Sequence, residues 1–386
     1  MCSRILGLVL ASVSLQAEAP RFQEYLLADD LRGGYQVVPY DVNRDGRTDL
    51  VALASGMPDL LWFENPGAEG MNGRWPRRVL ARGLNRMINV GFCPGVDDLL
   101  VAHAFANQPK DSIGIVSRLT PGADRAQPWT VTEIDRLTTS HRIRCADLGG
   151  GRRVFVNAPL AGANAAAPNY EDHVPLTYYA PGEWKRVAIG DQNEGVMHGI
   201  FIFPWDGKKR DCILTASFSG IHAYCSENGK WTRTEIARGD PRPAPESGAS
   251  DIAVGHLKGR RFIASIEPWH GNQTVIYARE GKSWRRKVID TELVDGHTIL
   301  TADLDGDGRD EVVAGYRGAG RSVHIYHAAD AQGARWNRTK LDDGGIAAAA
   351  CAAADLDGDR RVDLACIGSA TTNLKWYRNA GPPANH

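Results

Sequence analysis

Residues 283–289 read SWRRKVI and residues 335–341 read RWNRTKL, two alternating segments in which a tryptophan precedes an aliphatic residue by five positions. The pattern recurs every 47 to 55 residues, in seven segments that begin at Phe22, Trp75, Trp129, Trp184, Trp231, Trp284 and Trp336. A period of this length with several short strands per repeat is typical of propeller blades. The sequence therefore predicts an all-β fold, a seven-bladed β-propeller of four-stranded antiparallel blades.

The two ends of the chain are predicted to share one blade. We place the blades at about 35–84, 85–137, 138–193, 194–240, 241–293, 294–345 and 346–381. The last repeat stops after its third strand, whereas residues 22–31 carry the pattern of a fourth strand and precede the first full blade. We expect this N-terminal strand to join the last blade and close the ring, because closure removes an open sheet edge.

Composition narrows the classes of partner. The 386 residues include 45 basic and 46 acidic ones, a net charge of −1, which gives no basis for binding nucleic acid or an anionic membrane. The propeller, residues 20–381, has no apolar run long enough to span a bilayer. Residues 1–19 read as a signal peptide, with Arg4, an apolar stretch and small residues at its end, and residues 382–386 form a tail. We expect a secreted or periplasmic protein.

Six cysteines follow the leader, and none has the CxxC spacing of a metal or redox motif. Cys212 would face Cys225 across a tight hairpin, and Cys351 would face Cys366 in the same way. Export to an oxidising compartment would permit disulfide bonds in both pairs. Buried free thiols remain the equal alternative.

Three loops between first and second strands carry acidic residues at alternate positions, a glycine and a final carboxylate, which suits a calcium shell. The candidate ligands are Asp41, Asn43, Asp45 and Asp49 in blade 1, Asp303, Asp305, Asp307 and Glu311 in blade 6, and Asp355, Asp357, Asp359 and Asp363 in blade 7. These loops resemble those of FG-GAP repeats, a resemblance that implies structural Ca²⁺. Blade 7 has Arg360 in the place of the glycine, and simple acidic turns are the alternative reading.

Six of the eleven histidines fall at positions that propeller topology assigns to one face. Three begin innermost strands and three lie in loops between second and third strands: His141, His198, His297, His103, His173 and His270. Other residues expected at this rim are Asn107, Tyr170, Glu267, Trp269, Tyr316, Arg317 and Arg321. Histidines supply acid–base chemistry and metal ligands, arginines bind carboxylates, and aromatic faces stack on sugars. We predict a funnel that binds a polar carbohydrate.

Blades 3 to 6, with EPWHGN at 267–272, VMHGIFIFPWDG at 196–207 and DGHTILTADLDGDGRDEVVAGYRG at 295–318, resemble the propeller domain of aldos-2-ulose dehydratases. More distantly, the histidine-rich funnel is similar to that of seven-bladed polysaccharide lyases. The resemblance implies metal-assisted β-elimination on a keto sugar or a uronate-containing saccharide by a carbon–oxygen lyase. The dehydratases carry cupin domains after the propeller, so we expect this chain to lack any isomerising step that cupins perform.

The resemblance also suggests roles for the rim residues. His141, His198 and His297 are cast as ligands of Zn²⁺ or a similar ion, or as the base, and His270 and His173 as proton-transfer groups. Arg317 or Arg321 would bind the substrate anion, and Tyr316 is a further acid. His103, Asn107, Tyr170, Glu267 and Trp269 would contact substrate. The alternative is a non-catalytic, calcium-stabilised propeller that binds glycans or protein partners.

Overall fold

A computed structural model describes residues 20–381, so the signal peptide predicted at 1–19 and the tail at 382–386 lie outside the described residues. The predicted fold is confirmed: seven four-stranded antiparallel sheets form a β-propeller. The only other regular elements in this range are one turn of 3₁₀ helix at Pro109–Asp111 and, between blades 4 and 5, a hairpin whose two strands have two residues each. No helix in the described range is long and apolar enough to cross a bilayer.

The strands follow the order of the chain, and each blade runs from the central channel outwards. The N-terminal strand is β1 (Phe22–Ala28), and blade 1 contains β2 (Gly34–Tyr40), β3 (Asp49–Ala54), β4 (Leu60–Phe63) and β5 (Arg77–Ala81). Blade 2 contains β6 (Asn89–Phe92), β7 (Leu99–His103), β8 (Ile115–Thr120) and β9 (Thr130–Arg136). Blade 3 contains β10 (Ser140–Asp147), β11 (Arg153–Pro159), β12 (His173–Tyr179) and β13 (Arg186–Asn193).

The second half of the chain repeats this arrangement. Blade 4 contains β14 (Met197–Phe203), β15 (Cys212–Ser217), β16 (Gly220–Glu227) and β17 (Lys230–Ala237), and the hairpin β18 (Asp240–Pro241) and β19 (Ser247–Gly248) follows. Blade 5 contains β20 (Asp251–Leu257), β21 (Arg260–Glu267), β22 (Gln273–Glu280) and β23 (Ser283–Asp290). Blade 6 contains β24 (Gly296–Ala302), β25 (Glu311–Tyr316), β26 (Ser322–Ala328) and β27 (Trp336–Asp343), and blade 7 contains β28 (Ala348–Ala354), β29 (Asp363–Gly368) and β30 (Leu374–Asn379).

The ring closes as the sequence predicts. Strand β1 pairs antiparallel with β30, from Phe22 opposite Asn379 to Ala28 opposite Leu374, and is the outer strand of blade 7. Tyr25 of β1 stacks on Trp376 of β30 with ring centroids 4.7 Å apart. The last blade is therefore assembled from both ends of the chain.

The hydrophobic core is divided among the blade interfaces. Seven clusters of buried apolar residues each join neighbouring blades, and the cluster between blades 7 and 1 contains Trp376 and Trp75. The inner strands and their neighbours supply most of these residues, because both faces of each inner sheet are covered by an adjacent blade. Fourth strands such as β9 and β27 are largely exposed, which explains their alternating sequence.

Polar clasps also join four pairs of blades. In each, a carboxylate at or just beyond the end of one blade's fourth strand accepts hydrogen bonds from a tyrosine and a basic residue of the next blade. The acceptors and their tyrosines are Asp135 with Tyr179, Glu194 with Tyr224, Asp290 with Tyr326 and Asp342 with Tyr377. We call these contacts inter-blade clasps.

All six cysteines of the propeller are disulfide-bonded. Cys212–Cys225 joins the second and third strands of blade 4, and Cys351–Cys366 joins the first and second strands of blade 7. Both pairs that the sequence suggested are therefore disulfide bonds rather than free thiols. The third bond, Cys93–Cys145, joins blade 2 to blade 3, and the two cysteines are 52 positions apart in the sequence. Sequence spacing gave no sign of this pair because it forms between blades rather than across a hairpin.

Candidate active site in the central funnel

Local irregularities at the start of the first strands aim side chains into the channel. In blades 1, 3, 4 and 6 the pairing of the first two strands skips one residue, which is Tyr35, His141, His198 or His297. A β-bulge of this kind bends the strand and redirects the extra side chain. All four residues line a cavity of about 400 Å³ at this end of the channel, which we call the funnel.

His198, His270 and His297 form what we call the histidine cluster. Their ring centroids are 4.9 to 5.1 Å apart, and one nitrogen from each lies within 4.8 Å of the other two. The Nε2 atoms of His198 and His270 are 3.3 Å apart, whereas Nε2 of His297 is buried with no hydrogen-bond partner. Nε2 of His198 also lies 3.5 Å from a guanidinium nitrogen of Arg142, so within the cluster only Nε2 of His297 has no hydrogen-bond partner.

The opposite ring nitrogens are held by backbone or carboxylate oxygens. Nδ1 of His198 lies 3.2 Å from the carbonyl oxygen of Ser250, and Nδ1 of His297 lies 2.6 Å from that of Ala349. A carbonyl only accepts, so in both residues Nδ1 carries the proton and Nε2 keeps its lone pair. Nδ1 of His270 lies 3.3 Å both from Asp295 and from a guanidinium nitrogen of Arg317, which is itself paired with Asp295. Such outer partners orient imidazoles that bind metal ions.

Burial keeps these imidazoles neutral. It holds the pKa values of His141, His198 and His297 well below the usual 6.5, and the nearby arginine charges lower them further. Burial, followed by the charge of Arg317, lowers the pKa of His270 to about 3. Neutral imidazoles are the form that accepts a proton or coordinates a metal ion. A zinc-like ion accepts three histidine ligands and, in catalytic sites, keeps a further position open.

The funnel also contains a tyrosine next to a histidine. The hydroxyl of Tyr35 lies 2.9 Å from Nε2 of His141, and Nδ1 of His141 is buried without a partner. Arg142, the next residue on β10, donates to the Tyr35 hydroxyl over 3.2 Å. Because phenol and imidazole can exchange a proton directly, this pair can perform proton transfer inside the funnel.

Some residues predicted at the rim do line the funnel. His141, His198, His270, His297, Asn107, Trp269 and Arg317 all contribute to its wall. Arg317 is bidentate with Asp295 over 2.9 and 3.0 Å, so its charge is already paired and it serves to hold the carboxylate beside His270.

The placement predicted for two histidines was wrong. His103 is buried and its Nε2 bonds to Ser117 at 2.9 Å, because its side chain follows β7 into the blade. The side chain of His173 is 64% exposed and lies 3.7 Å from Asp191 on the neighbouring strand. Neither lines the funnel, so the prediction that six histidines converge is corrected to four.

Four other residues predicted at the rim also lie elsewhere. Glu267 is fully buried between Tyr277 and Arg286 of its own blade, and Tyr316 packs on His324. Tyr170 accepts a hydrogen bond from Gln108 and packs edge-on against Trp269, and Arg321 is exposed at a turn. The position of these residues in the repeat did not reveal that their side chains point into the blades or towards neighbouring loops rather than into the funnel.

Several lining residues were missed from the sequence, among them Tyr35, Phe105 and Arg86. Tyr35 could have been found by aligning the repeats, because GYQVVPYD at 34–41 aligns with GHTILTAD at 296–303. In that alignment Tyr35 occupies the position equivalent to His297. The residues after the bulges, including Arg142, could have been identified in the same way. Phe105 and Arg86 lie in loops, where the repeat gives no register.

The predicted calcium loops lie at the far ends of the first strands from the funnel. In blade 6 the backbone N–H groups of Gly306 and Gly308 donate to the two oxygens of Asp303, and Leu304 donates to buried Glu311. Asp303, Asp305 and Asp307 bring carboxylate oxygens within 4.8 Å of one another, and so do Asp355, Asp357 and Asp359 in blade 7. This donor set has the hard oxygen atoms that Ca²⁺ prefers.

In the loop of blade 1, Asp41 accepts from the N–H groups of Asp45 and Gly46, and buried Asp49 accepts from Val42. In blade 7, Arg360 adopts the left-handed φ of +70°. Its backbone N–H donates to Asp355 over 2.9 Å, as the backbone N–H of Gly308 does to Asp303 over 3.0 Å. The missing glycine therefore leaves the shape of this loop unchanged.

These features define the class of the protein, a seven-bladed β-propeller with a histidine-lined funnel on one face and acidic loops on the other. Within that class, residues 114–280 match the family model described as aldos-2-ulose dehydratase, beta-propeller domain, and residues 303–366 match an FG-GAP-like repeat. The resemblance drawn from the sequence motifs is confirmed by these matches.

Whole-chain comparisons agree with this resemblance. The curated aldos-2-ulose dehydratase of Phanerodontia chrysosporium is 25% identical over 421 residues, which cover 96% of this chain and 46% of that protein. The chain thus spans about half the length of this relative. The WD40 β-propeller domain of Doa1 is similar in fold alone, with a TM-score of 0.56 and 12% identity over 92% of this chain and 97% of that one.

Proposed function

We propose that the funnel catalyses metal-assisted β-elimination on a keto sugar or a uronate-containing saccharide. The observation that carries the proposal is the histidine cluster, in which three neutral imidazoles bring one nitrogen each within 4.8 Å of the others inside a cavity of about 400 Å³, and Nε2 of His297 has no hydrogen-bond partner. Similarity to a dehydratase propeller supports elimination as the reaction class and a carbohydrate as the substrate.

In this proposal His198, His270 and His297 hold a zinc-like ion, with Asp295 fixing the ring of His270. A bound ion of this kind would polarise a carbonyl or carboxylate oxygen of the substrate. Trp269, whose ring lies 4.8 Å from that of His270, offers an apolar face for a sugar ring. His270 takes the place of His141 among the ligands, and His141 keeps the other role that the resemblance suggests for it, that of the base.

His141 and Tyr35 would move the protons. A base removes a proton from the carbon next to the activated carbonyl or carboxylate, and the electron pair of that C–H bond becomes a C=C bond. The bond to the oxygen on the next carbon then breaks, and a proton delivered to this oxygen releases water or an alcohol. Neutral His141 can accept a proton, and the Tyr35 hydroxyl can donate one. Because the two groups are 2.9 Å apart, the proton taken up by His141 can then pass to the Tyr35 oxygen, which restores both groups to their starting forms.

The test is the ultraviolet absorbance of the conjugated alkene product. Purified protein loaded with Zn²⁺ is incubated with 1,5-anhydrofructose, 2- and 3-keto sugars and uronate oligosaccharides, and bound metal is measured in parallel. We expect turnover that His297→Ala lowers at least 100-fold, together with loss of bound zinc, because one ligand of three is removed. His103→Ala is the matched control and should keep both zinc and activity, since His103 bonds only Ser117.

Absence of product across the whole panel from metal-loaded protein would refute the lyase proposal and favour a glycan- or protein-binding propeller. Zinc binding that survives in His297→Ala would refute the assignment of the metal ligands.

We also propose that the protein works outside the cytoplasm. Three disulfide bonds that involve all six cysteines of the propeller support this proposal, since such bonds persist in oxidising compartments. Intact mass after alkylation without reductant, on protein from its native host, should show no labelled cysteine among these six. Labelling of all six would contradict the proposal.

A further inference from the structure

The base of the funnel contains a buried guanidinium group that the roles above leave unused. Arg142 is 6% exposed, and its contacts within the funnel are to Tyr35, His141 and His198, at 3.2 to 3.5 Å. Among residues 20–381, no carboxylate lies within 4.0 Å of it. A buried charge without a counterion is costly, so such groups usually have an anionic partner.

The surroundings of Arg142 supply one acid for two arginines. A second cavity of about 190 Å³ continues the channel beyond the funnel and is lined by Arg142, Arg144 and Asp251. Asp251 is the acid of this group: burial raises its pKa to about 6, and the positive charges of Arg142 and Arg144 oppose that rise. The channel therefore carries two guanidinium groups against one buried carboxyl.

Space and orientation favour the funnel as the direction from which an anion reaches Arg142. Tyr35 and His297 line both cavities, so Arg142 lies at their junction. Arg317, the other arginine near the histidine cluster, is already paired with Asp295.

We infer that Arg142 is a catalytic residue that binds an oxygen anion of the substrate at the base of the funnel. The inference rests on the proposed function and adds the group that compensates the negative charge. Two sources share this chemistry. A uronate brings a permanent carboxylate, whereas a neutral keto sugar develops an enolate oxygen when the base removes its proton. A guanidinium fork binds either through paired N–H donors.

The experiment compares wild type, Arg142→Gln and Arg142→Lys with Arg144→Gln as the matched control. Arg144 lies two residues further along the same strand and bonds to Asn89 and to the carbonyl of Ile143, away from the histidines. Binding of D-galacturonate and D-galactose is measured by calorimetry, and turnover of 1,5-anhydrofructose by alkene absorbance. Thermal melting of each variant separates loss of function from loss of fold.

If the anion is a carboxylate, wild type binds galacturonate at least 10-fold more tightly than galactose, and Arg142→Gln abolishes the difference. If the anion is an enolate, Arg142→Gln lowers kcat for 1,5-anhydrofructose at least 100-fold with KM changed less than threefold. Arg142→Lys should recover part of either effect because it keeps the charge but loses the fork. Arg144→Gln should change neither by more than threefold.

Turnover and binding by folded Arg142→Gln that equal those of wild type would overturn the inference and leave the proposed function intact. Arg142-dependent binding of galacturonate by a protein that transforms no sugar would support the anion site while the lyase proposal fails. A wild-type protein that neither binds nor transforms these sugars would overturn both.

Discussion

Asp135 illustrates how one side chain of this propeller serves two blades. It lies on β9 of blade 2, and it accepts hydrogen bonds from Tyr179 over 2.7 Å and from Arg186 over 2.7 and 2.6 Å, both on blade 3. Burial opposes its ionisation, but these donors outweigh burial and lower its pKa. The clasp therefore stabilises the interface as long as Asp135 is ionised.

Removing the tyrosine hydroxyl tests this contribution. Tyr179→Phe should lower the free energy of unfolding at pH 7 by about 2 kcal/mol, the usual value of a hydrogen bond to a charged group. The neighbouring Tyr178→Phe is the control and should cost less than about 0.5 kcal/mol, because Tyr178 is half-buried and its hydroxyl takes no part in a clasp. Chemical denaturation of each variant measures both values.

The same pair predicts a pH dependence. A lowered carboxyl pKa stabilises the fold above the unfolded value of about 3.9, and that stability is lost as the pH falls through the folded pKa. The cost of Tyr179→Phe should therefore shrink between pH 5 and pH 2.5. A cost that stays constant over this range would contradict the clasp as the cause of the lowered pKa.

At the residue scale the sequence predicted which side chains reach the funnel better than it predicted the hydrogen-bond and ion-pair partners of those side chains. Repeat alignment placed His141, His198 and His297 at the channel because the position recurs in every blade. The position of His270 beside His198 and His297, and the lack of a carboxylate within 4.0 Å of Arg142 in the described range, depend on which side chains approach from other blades. Those contacts involve residues 47 to 107 positions apart, and spacing along the chain does not encode them.

At the scale of elements, the acidic loops show that a pattern can tolerate an exception. The spacing of carboxylates predicted three loops, and Arg360 was the reason to doubt the third. The loop of blade 7 nevertheless matches that of blade 6, because an arginine can take the left-handed conformation at a modest energetic cost. The bulges of the first strands could not be predicted, since they arise from pairing geometry rather than composition.

We propose that these loops bind structural Ca²⁺. Adding 1 mM Ca²⁺ to chelator-treated protein should raise Tm by about 2–5 °C, because an ion that binds only the folded state stabilises it by about 2.7 kcal/mol at 100 times its Kd. The double variant Asp303→Asn/Asp307→Asn should lose part of this shift, whereas Arg360→Gly should retain it. Differential scanning calorimetry measures each shift.

Asp206→Asn provides the matched control for the calcium loops. Asp206 occupies the corresponding loop of blade 4, where it pairs with Arg210 and has no acidic cluster around it among the described residues. Its substitution should leave the calcium-dependent shift unchanged. Equal shifts in the control and in the blade 6 double variant would contradict calcium binding at Asp303 and Asp307.

For the whole molecule, closure of the ring brings distant parts of the chain into contact. The backbone N–H of Arg21 donates to Gly381 over 3.2 Å, and that of Ala380 donates to Arg21 over 2.8 Å. The off-set repeat predicted this closure because the first and last segments complement each other along one strand. The seven blade interfaces were predictable as a consequence of the repeat, whereas the Cys93–Cys145 bond between two of them was not.

Adjacent ends allow a circular permutant to be designed. Moving residues 20–33 to follow Gly381 through a short glycine linker should give a folded protein whose Tm lies within about 5 °C of the original, since every strand pair is kept. The same chain without residues 20–33 should aggregate, because the edge of β30 is exposed. Melting curves and size-exclusion chromatography distinguish these outcomes, and a soluble, equally stable deletion would contradict the role of β1.

The pairing of β1 with β30 also sets an order of events on the ribosome. Asp29 and Thr372 are hydrogen-bonded although they are 343 positions apart in the sequence. The first strand to emerge must therefore wait, at ordinary elongation rates of about 5–20 residues per second, for tens of seconds until its partner is made. Its exposed residues include Gln23 and Glu24, which place a polar side chain on each side of the strand and keep it soluble while the other six blades form.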